Sequence, residues 1–464
     1  MKALSLLGVV ALLLCGNAQA CLQQESESNN SESSADGPLC SGVAVQAAIG
    51  NRTDQDWYYF DTGATGNISI SLSHGSNADF DWFLYRASGS YIASGQSSSN
   101  PETGSYVASP AGPHFIKVTR YSGTGNYQLA VNFAGSDSGG GGTDPDPEPE
   151  NCNYGPRPSK PGGLSATLVG NNSDVCVSLS NPAVLLMGGG TDVDAAFANR
   201  IKPHIKGGNV VVLRTSGTDA YNSYLQGLTN AASVETLIVN TRTKANSDYV
   251  DWAIRSAEFV FIAGGDQSDY LNQWQGTKVQ DALMHVYNKG GAVGGTSAGN
   301  HVLGQFIYDP DGVLGAISSE AVTDFCHETV NISTNFLNIP LLSGIITDTH
   351  FKQRDRMGRS AVFQAKLGST GRVVAVSEAT SLFITADGNA VVDGSHEVYV
   401  LRADSQTQYQ QISCGQPVII NNLLRYKLLP GQSYNLLNNS TALSPVRLSI
   451  DGRSGSFYTP TSPY

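Results

Sequence analysis

A glycine-, proline- and acid-rich stretch, GSDSGGGGTDPDPEPE, separates two parts of the chain whose side chains repeat with different periods. Its glycine half reads as flexible coil and its Pro-acidic half as extended spacer, so neither half joins a packed core. This linker is placed at residues 136–151. Before it, over residues 38–135, short alternating runs are separated by Gly, Ser and Asn: Trp57-Tyr58-Tyr59-Phe60, Ile68 to Leu72, Asp81 to Tyr85, His114 to Val118 and Tyr127 to Val131. That period of two predicts a small all-β sandwich. After it, over residues 152–464, apolar runs (Ala183 to Met187, Val210 to Leu213, Glu235 to Val239, Phe259 to Ala263) alternate with helical patterns. Such alternation predicts an α/β domain, a parallel sheet flanked by helices. Beyond about Gly388 the pattern turns β-like again, at Glu397 to Leu401 and Pro417 to Ile420, predicting an added sheet or edge.

Residues 1–20 read as a secretory signal: Lys2, an apolar run from Leu4 to Leu14, and Ala18-Gln19-Ala20 as a small-residue cleavage site. The run is too short to span a bilayer comfortably, and no later stretch has spanning length. Residues 21–37, rich in Ser, Asn and Glu, read as a flexible spacer. Beyond the leader lie Cys21, Cys40, Cys152, Cys176, Cys326 and Cys414, an even set that suits disulfides in an exported chain. Spacing suggests Cys21–Cys40, Cys152–Cys176 and Cys326–Cys414, with connectivity open. Lipid attachment at Cys21 fits less well, because no large aliphatic residue stands three positions before it. The net charge of -12 speaks against nucleic acid as a partner.

The sharpest local signal is KGGAVGGTSAGNHVLG, residues 289–304. Ala292-Val293 reads as a strand, Gly295-Thr296-Ser297-Ala298-Gly299 fits G-x-S-x-G, and a helical run follows. A nucleophile on a tight strand-to-helix turn needs small neighbours, so that strand and helix can approach. In a chain with 51 glycines the bare motif would be weak; its strand-before, helix-after context makes Ser297 the candidate nucleophile. The Ala298 amide is one candidate oxyanion donor. A second turn, Gly264-Gly265-Asp266-Gln267, ends the Phe261 to Ala263 run and offers the Gly265 amide as the other; Asp266 reads as a helix cap.

A serine needs a base. Of eight histidines, His74 and His114 lie before the linker, and His204, His285, His327 and His396 have structural contexts. His301 follows Ser297 by one helical turn and reads as a structural neighbour. His350 lies at the end of a buried strand, in GIITDTHFKQRDRMGR; alternation puts Asp348 and His350 on one face, and an arginine-rich helix is expected to follow with Arg354, Arg356 and Arg359. Glu320, Asp324 and Glu378 are candidates to orient the imidazole. Glu378, at the end of the Val373 to Val376 strand, is favoured, giving the order Ser, His, Glu.

The sandwich segment resembles the pre-peptidase C-terminal domain, an accessory β-sandwich of secreted bacterial peptidases, in DWYYFDTGATGNISISLS, DFDWFLY and AGPHFIKVTRYSGTGNYQLAV. Its Asp54, Asp56, Asp79 and Asp81 offer oxygens to calcium, but read first as exposed strand-end acids. The later segments GGGTDVDAAF, IAGGDQSDYL, GGAVGGTSAGNHVLG, DTHFKQRDRMGR and VSEATSLF, in that order, resemble the cyanophycinase family of serine peptidases, with a glutamine-amidotransferase-like α/β fold. The resemblance implies Ser297, His350 and Glu378 as the catalytic triad, and Gln267, Asp348, Arg354, Arg356 and Arg359 as pocket or supporting residues. It also implies the substrate: cyanophycin, a polyaspartate with arginine on each side-chain carboxyl, cut to β-aspartyl-arginine dipeptides. The family carries Gln between the strand-end Asp and His. Here that residue is Thr349, expected to touch substrate.

The alternatives are a family member acting on other aspartyl peptides, an esterase on a similar elbow, and a non-catalytic binding protein. No cofactor and no catalytic metal are expected, since neither H-E-x-x-H nor paired cysteines occur. The expected partner is a peptide or polymer substrate, with no nucleic acid and no membrane span; dimerisation is open.

Overall fold

The computed structural model describes residues 21–62, 66–75, 77–86, 90–109, 112–133, 154–179, 181–313 and 315–464. The expected signal segment, the expected linker and Cys152 lie outside these residues. The chain divides into two compact units, residues 1–145 and 146–464.

In the first unit, strands β1 (Ala44–Ile49), β2 (Gln55–Thr62), β3 (Gly66–His74), β4 (Asp79–Arg86), β5 (Tyr91–Gly95), β6 (Glu102–Ser109), β7 (Gly112–Ser122) and β8 (Gly125–Asn132) form two antiparallel sheets. Their orders are β1-β8-β3-β6 and β2-β7-β4-β5. Alternate residues point inward, and Tyr58, Phe60, Phe80, Trp82, Leu72 and Val131 fill the space between the sheets.

Residues 21–37 are not the free spacer their composition predicts. The Glu25 amide donates to the Gln46 carbonyl on β1, and the Asp36 amide to the Trp57 carbonyl on β2. Cys21 is bonded to Cys40. β1 and β2 are edge strands, whose unpaired backbone groups accept a passing segment whatever its side chains. This segment also brings Glu25 and Glu27 to the buried Asp56, their ligand atoms within 4.8 Å of one another. Desolvation raises the Asp56 pKa to about 8, against the hydrogen bond from Tyr127. Of the four acids the sequence suggested for a cation, only Asp56 belongs to this group; Asp54 instead accepts the Gly50 amide at 2.6 Å.

The second unit contains β9 (Ser165–Gly170), β10 (Ala183–Met187), β11 (Asn209–Arg214), β12 (Ser233–Ile238), β13 (Phe259–Ile262), β14 (Ala292–Thr296), β15 (Ile307–Tyr308), β16 (Ile332–Ser333), β17 (Ile345–Asp348), β18 (Arg372–Val376), β19 (Thr380–Ile384), β20 (Asn389–Gly394), β21 (Val398–Arg402), β22 (Gln408–Gln411), β23 (Ile419–Leu428), β24 (Ser433–Asn435), β25 (Val446–Asp451) and β26 (Tyr458–Thr459). Nine of them form a sheet of order β24-β20-β19-β10-β14-β13-β11-β12-β9. Its centre, β10, β14, β13, β11 and β12, is parallel; β19, β20, β24 and β9 are antiparallel. The sheet is thus mixed rather than wholly parallel.

The apolar runs are unbroken because both faces of the central strands are covered. Ala183, Leu185 and Met187 of β10, with Phe259 and Phe261 of β13, pack with Phe197, Ile201 and Leu225. Val184, Leu186, Val260 and Ile262 pack on the other face with Val250, Ile254, Leu283 and Val286 from helices Asp248–Ser256 and Lys278–Asn288. Ser247 caps the first of these helices by accepting the Val250 amide.

The late β pattern builds a second sheet, β17-β18-β21-β23-β25-β26, with β22 on β23. It also recruits β17 and β18, which run parallel to each other. One face of it shares the core of the first sheet through Ile345, Val374, Val376, Val398 and Val400. The other packs on helix Met357–Leu367. The Cys326–Cys414 disulfide lies in this unit, and Cys176 is also disulfide-bonded. Among the described residues, no helix is long and apolar enough to cross a membrane.

Candidate active site

β14 ends at Thr296 and a short helix begins at Ala298, leaving Ser297 alone at the turn with φ 54° and ψ -120°. For a residue with a Cβ this is strained backbone, held in place by what surrounds it. A Cβ at Gly295 would overlap the backbone of Gly299, and a Cβ at Gly299 would overlap the Ile262 carbonyl on β13. The glycines of G-x-S-x-G are therefore required by backbone-to-backbone approach.

Ser297 Oγ lies 2.8 Å from His350 Nε2. His350 Nδ1 lies 2.6 Å from Glu378 Oε1. A carboxylate only accepts, so the Nδ1 proton points to Glu378 and Nε2 is left to accept the serine O–H. Burial lowers the His350 pKa, the hydrogen bond to Glu378 opposes this, and the nearby Arg354 and Arg356 cations lower it further. The net shift favours the neutral imidazole, the form that accepts a proton.

Three successive carbonyls fix the backbone at these positions. Met187 O accepts the Ser297 amide at 3.3 Å, Gly188 O the His350 amide at 2.8 Å, and Gly189 O the amide of Ala379, next to Glu378, at 3.0 Å. A Cβ at Gly189 would overlap the His350 ring, and one at Gly190 would lie 3.1 Å from Glu378 Cβ. The glycine triplet after β10 is therefore the bed of the serine–histidine–glutamate chain. In the sequence the triplet opens the segment GGGTDVDAAF, and three consecutive glycines directly after a buried strand were the available signal.

Residues 185–392 match the family model described as peptidase family S51, and residues 54–120 match the bacterial pre-peptidase C-terminal domain. Most of the α/β unit is thus similar to peptidase family S51. A cyanophycinase of Synechococcus elongatus is 30% identical over 210 residues, covering 44% of this chain and 60% of that protein. One of Nostoc sp. is 25% identical over 223 residues, covering 47% and 70%. The match thus spans less than two thirds of the Synechococcus relative's length. The crystal structure of a peptidase from an acI-B1 actinobacterium aligns at 16% identity with a TM-score of 0.39, covering 55% of this chain and 97% of its own.

Within the S51-like segment, several residues expected to meet substrate are turned inward. Asp348, Thr349 and Arg359 are 0%, 0% and 1% exposed. Asp348 accepts both Nε and Nη2 of Arg359, the Ser360 hydroxyl at 2.7 Å and the Thr349 amide at 2.7 Å. Burial alone would raise its pKa, but Arg359 and Arg356 hold it far below the usual carboxylate range. Arg359 also lies 4.6 Å over the Tyr308 ring. Thr349 Oγ1 lies 3.0 Å from Nε2 of His301, and His301 Nδ1 lies 2.9 Å from the Thr347 carbonyl. Burial pushes the His301 pKa down to about 3, against the pull of Asp348.

Arg356 donates to the Thr349 carbonyl at 2.8 Å and lies 3.5 Å from Asp348. Only Arg354 is open, its side chain 54% exposed and 3.8 Å from Glu378. The expected shared face fails because β17 ends at Asp348 and His350 has φ 45°, which breaks the alternation. The arginine-rich helix is likewise shorter than expected: residues 351–355 form turns, and only Arg359 sits on the helix, which begins at Met357.

The second glycine turn reaches the serine. An ideal Cβ at Gly264 would lie 3.5 Å from Ser297 Cβ, while Gly265 faces the Tyr270 hydroxyl. Asp266 caps the next helix by accepting the Ser268 amide at 2.9 Å. Gln267 donates to the Tyr308 carbonyl at 3.1 Å. Ala298 is the first helical residue, so its N–H has no partner within the helix.

Proposed function

We propose that this chain is an exported serine peptidase that hydrolyses cyanophycin to β-aspartyl-arginine dipeptides through an acyl-enzyme on Ser297. The observation that carries the reading is the continuous hydrogen-bonded chain Ser297–His350–Glu378 at a strained elbow. His350 Nε2 takes the hydroxyl proton as Ser297 Oγ bonds to the scissile carbonyl carbon, and Glu378 stabilises the imidazolium. The Ala298 and Gly265 amides are the proposed donors to the oxyanion. Collapse of the adduct breaks the C–N bond, and the imidazolium protonates the leaving amine. Water then attacks the ester, again giving its proton to His350, and the carboxylic acid leaves as Ser297 regains its hydrogen.

The cyanophycinase relatives support the substrate, and the disulfides at Cys21–Cys40 and Cys326–Cys414 support export. The test is digestion of insoluble cyanophycin by the purified chain, followed by chromatography of the soluble fraction. The β-aspartyl-arginine dipeptide is expected; an intact polymer in a preparation that still cleaves other β-aspartyl peptides would remove cyanophycin as the substrate.

A pH prediction follows from the cations near His350. Because the base must be neutral, kcat/KM falls as pH drops through the pKa of free-enzyme His350. Arg354→Gln removes one charge that lowers that pKa. The acid limb of kcat/KM is therefore expected at higher pH in the variant, and the displacement should shrink in high salt because Arg354 is exposed. Profiles from pH 4 to 9 check this. A limb that stays put or moves down would contradict the assignment of His350 as base.

A further inference from the structure

A cleft of 660 Å³ opens beside the triad, and none of the residues above explains it. Gly190 is on its wall, and a Cβ there would lie 3.1 Å from Glu378 Cβ, so the cleft begins at the edge of the site. Two carboxylates and two phenols face it: Asp192, Asp194, Tyr221 and Tyr224. The Tyr221 hydroxyl donates to Asp192 Oδ2 at 2.8 Å, and that of Tyr224 to Asp194 Oδ1 at 2.7 Å. Asp192 Oδ1 is buried and has no hydrogen-bond partner among the described residues.

Arg214 shares the wall but is tied back, with Nε on the Ser216 carbonyl at 2.6 Å and Nη1 on the Thr218 carbonyl at 2.9 Å. It forms no ion pair among the described residues, so it leaves both carboxylates without a cation. Burial pushes the Asp192 pKa up, and the Tyr221 hydrogen bond only partly offsets this. Asp194, the more exposed of the two, meets the cleft without a cation, and a carboxylate so placed gains from a charged donor brought by a ligand.

We infer that this cleft is the subsite for a guanidinium side chain of the substrate, with Asp192 and Asp194 as its specificity-determining residues. A guanidinium is planar, offers a fork of donors to a carboxylate and packs on aromatic faces; the Tyr221 and Tyr224 rings stand 6.2 Å apart beside the two acids. The inference deepens the peptidase reading and rests on it for the substrate, but its binding test does not need turnover.

Two measurements on the full chain decide it. First, kcat/KM is compared for β-aspartyl-arginine and β-aspartyl-citrulline, the uncharged isostere. The wild type is expected to favour arginine by about tenfold or more, and Asp192→Asn/Asp194→Asn to lose that preference. Second, calorimetry with agmatine is expected to give binding to the wild type and at least about tenfold weaker binding to the double variant. Asp194→Asn alone, at an exposed position, serves if the double variant does not fold. An arginine preference that survives the substitutions, or agmatine binding equal in all forms, overturns the subsite while leaving the peptidase reading intact. If a fluorophosphonate fails to label Ser297 and no peptide is cleaved, the peptidase reading fails instead, and the agmatine titration still judges the cleft.

Discussion

Ser297→Ala is expected to lower kcat on cyanophycin by on the order of 10⁴ to 10⁶, because no other hydroxyl stands at hydrogen-bond distance from His350 Nε2 among the described residues. Substrate binding should survive, since one oxygen is removed and the cleft is untouched. Folding should survive too. The unusual φ at 297 is imposed by the close approach of β14, β13 and the following helix, and alanine bears the same strain. The checks are single-turnover kinetics, a thermal melt, and a fluorophosphonate that labels the wild type alone. Wild-type turnover in the variant would remove Ser297 as nucleophile.

Asp348→Asn is expected to be the most destabilising of the conservative changes near the site. The substitution keeps the shape but removes the charge that compensates Arg359, which is 1% exposed, and Arg356 at 3.5 Å. Stranding a buried cation in this way costs about 3–5 kcal/mol, which corresponds to a Tm lower by on the order of 10 °C for the α/β unit. Activity should fall as well, because the Thr349 amide that precedes His350 is anchored on the same carboxylate. Calorimetry of the full chain reads the Tm. Adding Arg359→Met to Asp348→Asn should recover part of the loss, because the uncompensated charge, not the missing hydrogen bonds alone, carries the cost. No recovery would mean that packing dominates.

The elbow was legible in the sequence because its requirement is local: small residues around one serine between a strand and a helix. His350 and Glu378 were legible because each follows an apolar run that ends abruptly. What the pattern hid is the direction of side chains after those ends. Alternation holds only inside a strand, and with φ 45° at His350 the residues Asp348, Thr349 and Arg359 become a buried brace instead of a substrate surface. The role of Gly188 to Gly190 was hidden because their partners lie far along the chain. Residues 21–37 were misread for a related reason. Their hydrogen bonds go to the borders of two sheets, and such pairing leaves no period in the paired segment. The second sheet was foreseen only in its last strands, because nothing in β17 or β18 says which neighbour it will take.

The carbonyls of Met187, Gly188 and Gly189 act as a ruler with three consecutive marks. Ser297 and His350 are 53 positions apart in the chain, and His350 and Glu378 are 28 apart, yet Ser297, His350 and Ala379, the neighbour of Glu378, are registered against successive marks on one tripeptide. Spacing among the three side chains is thus independent of the length of the connecting polypeptide. Loops between them can lengthen, shorten or change composition without retuning the hydrogen-bond distances among them.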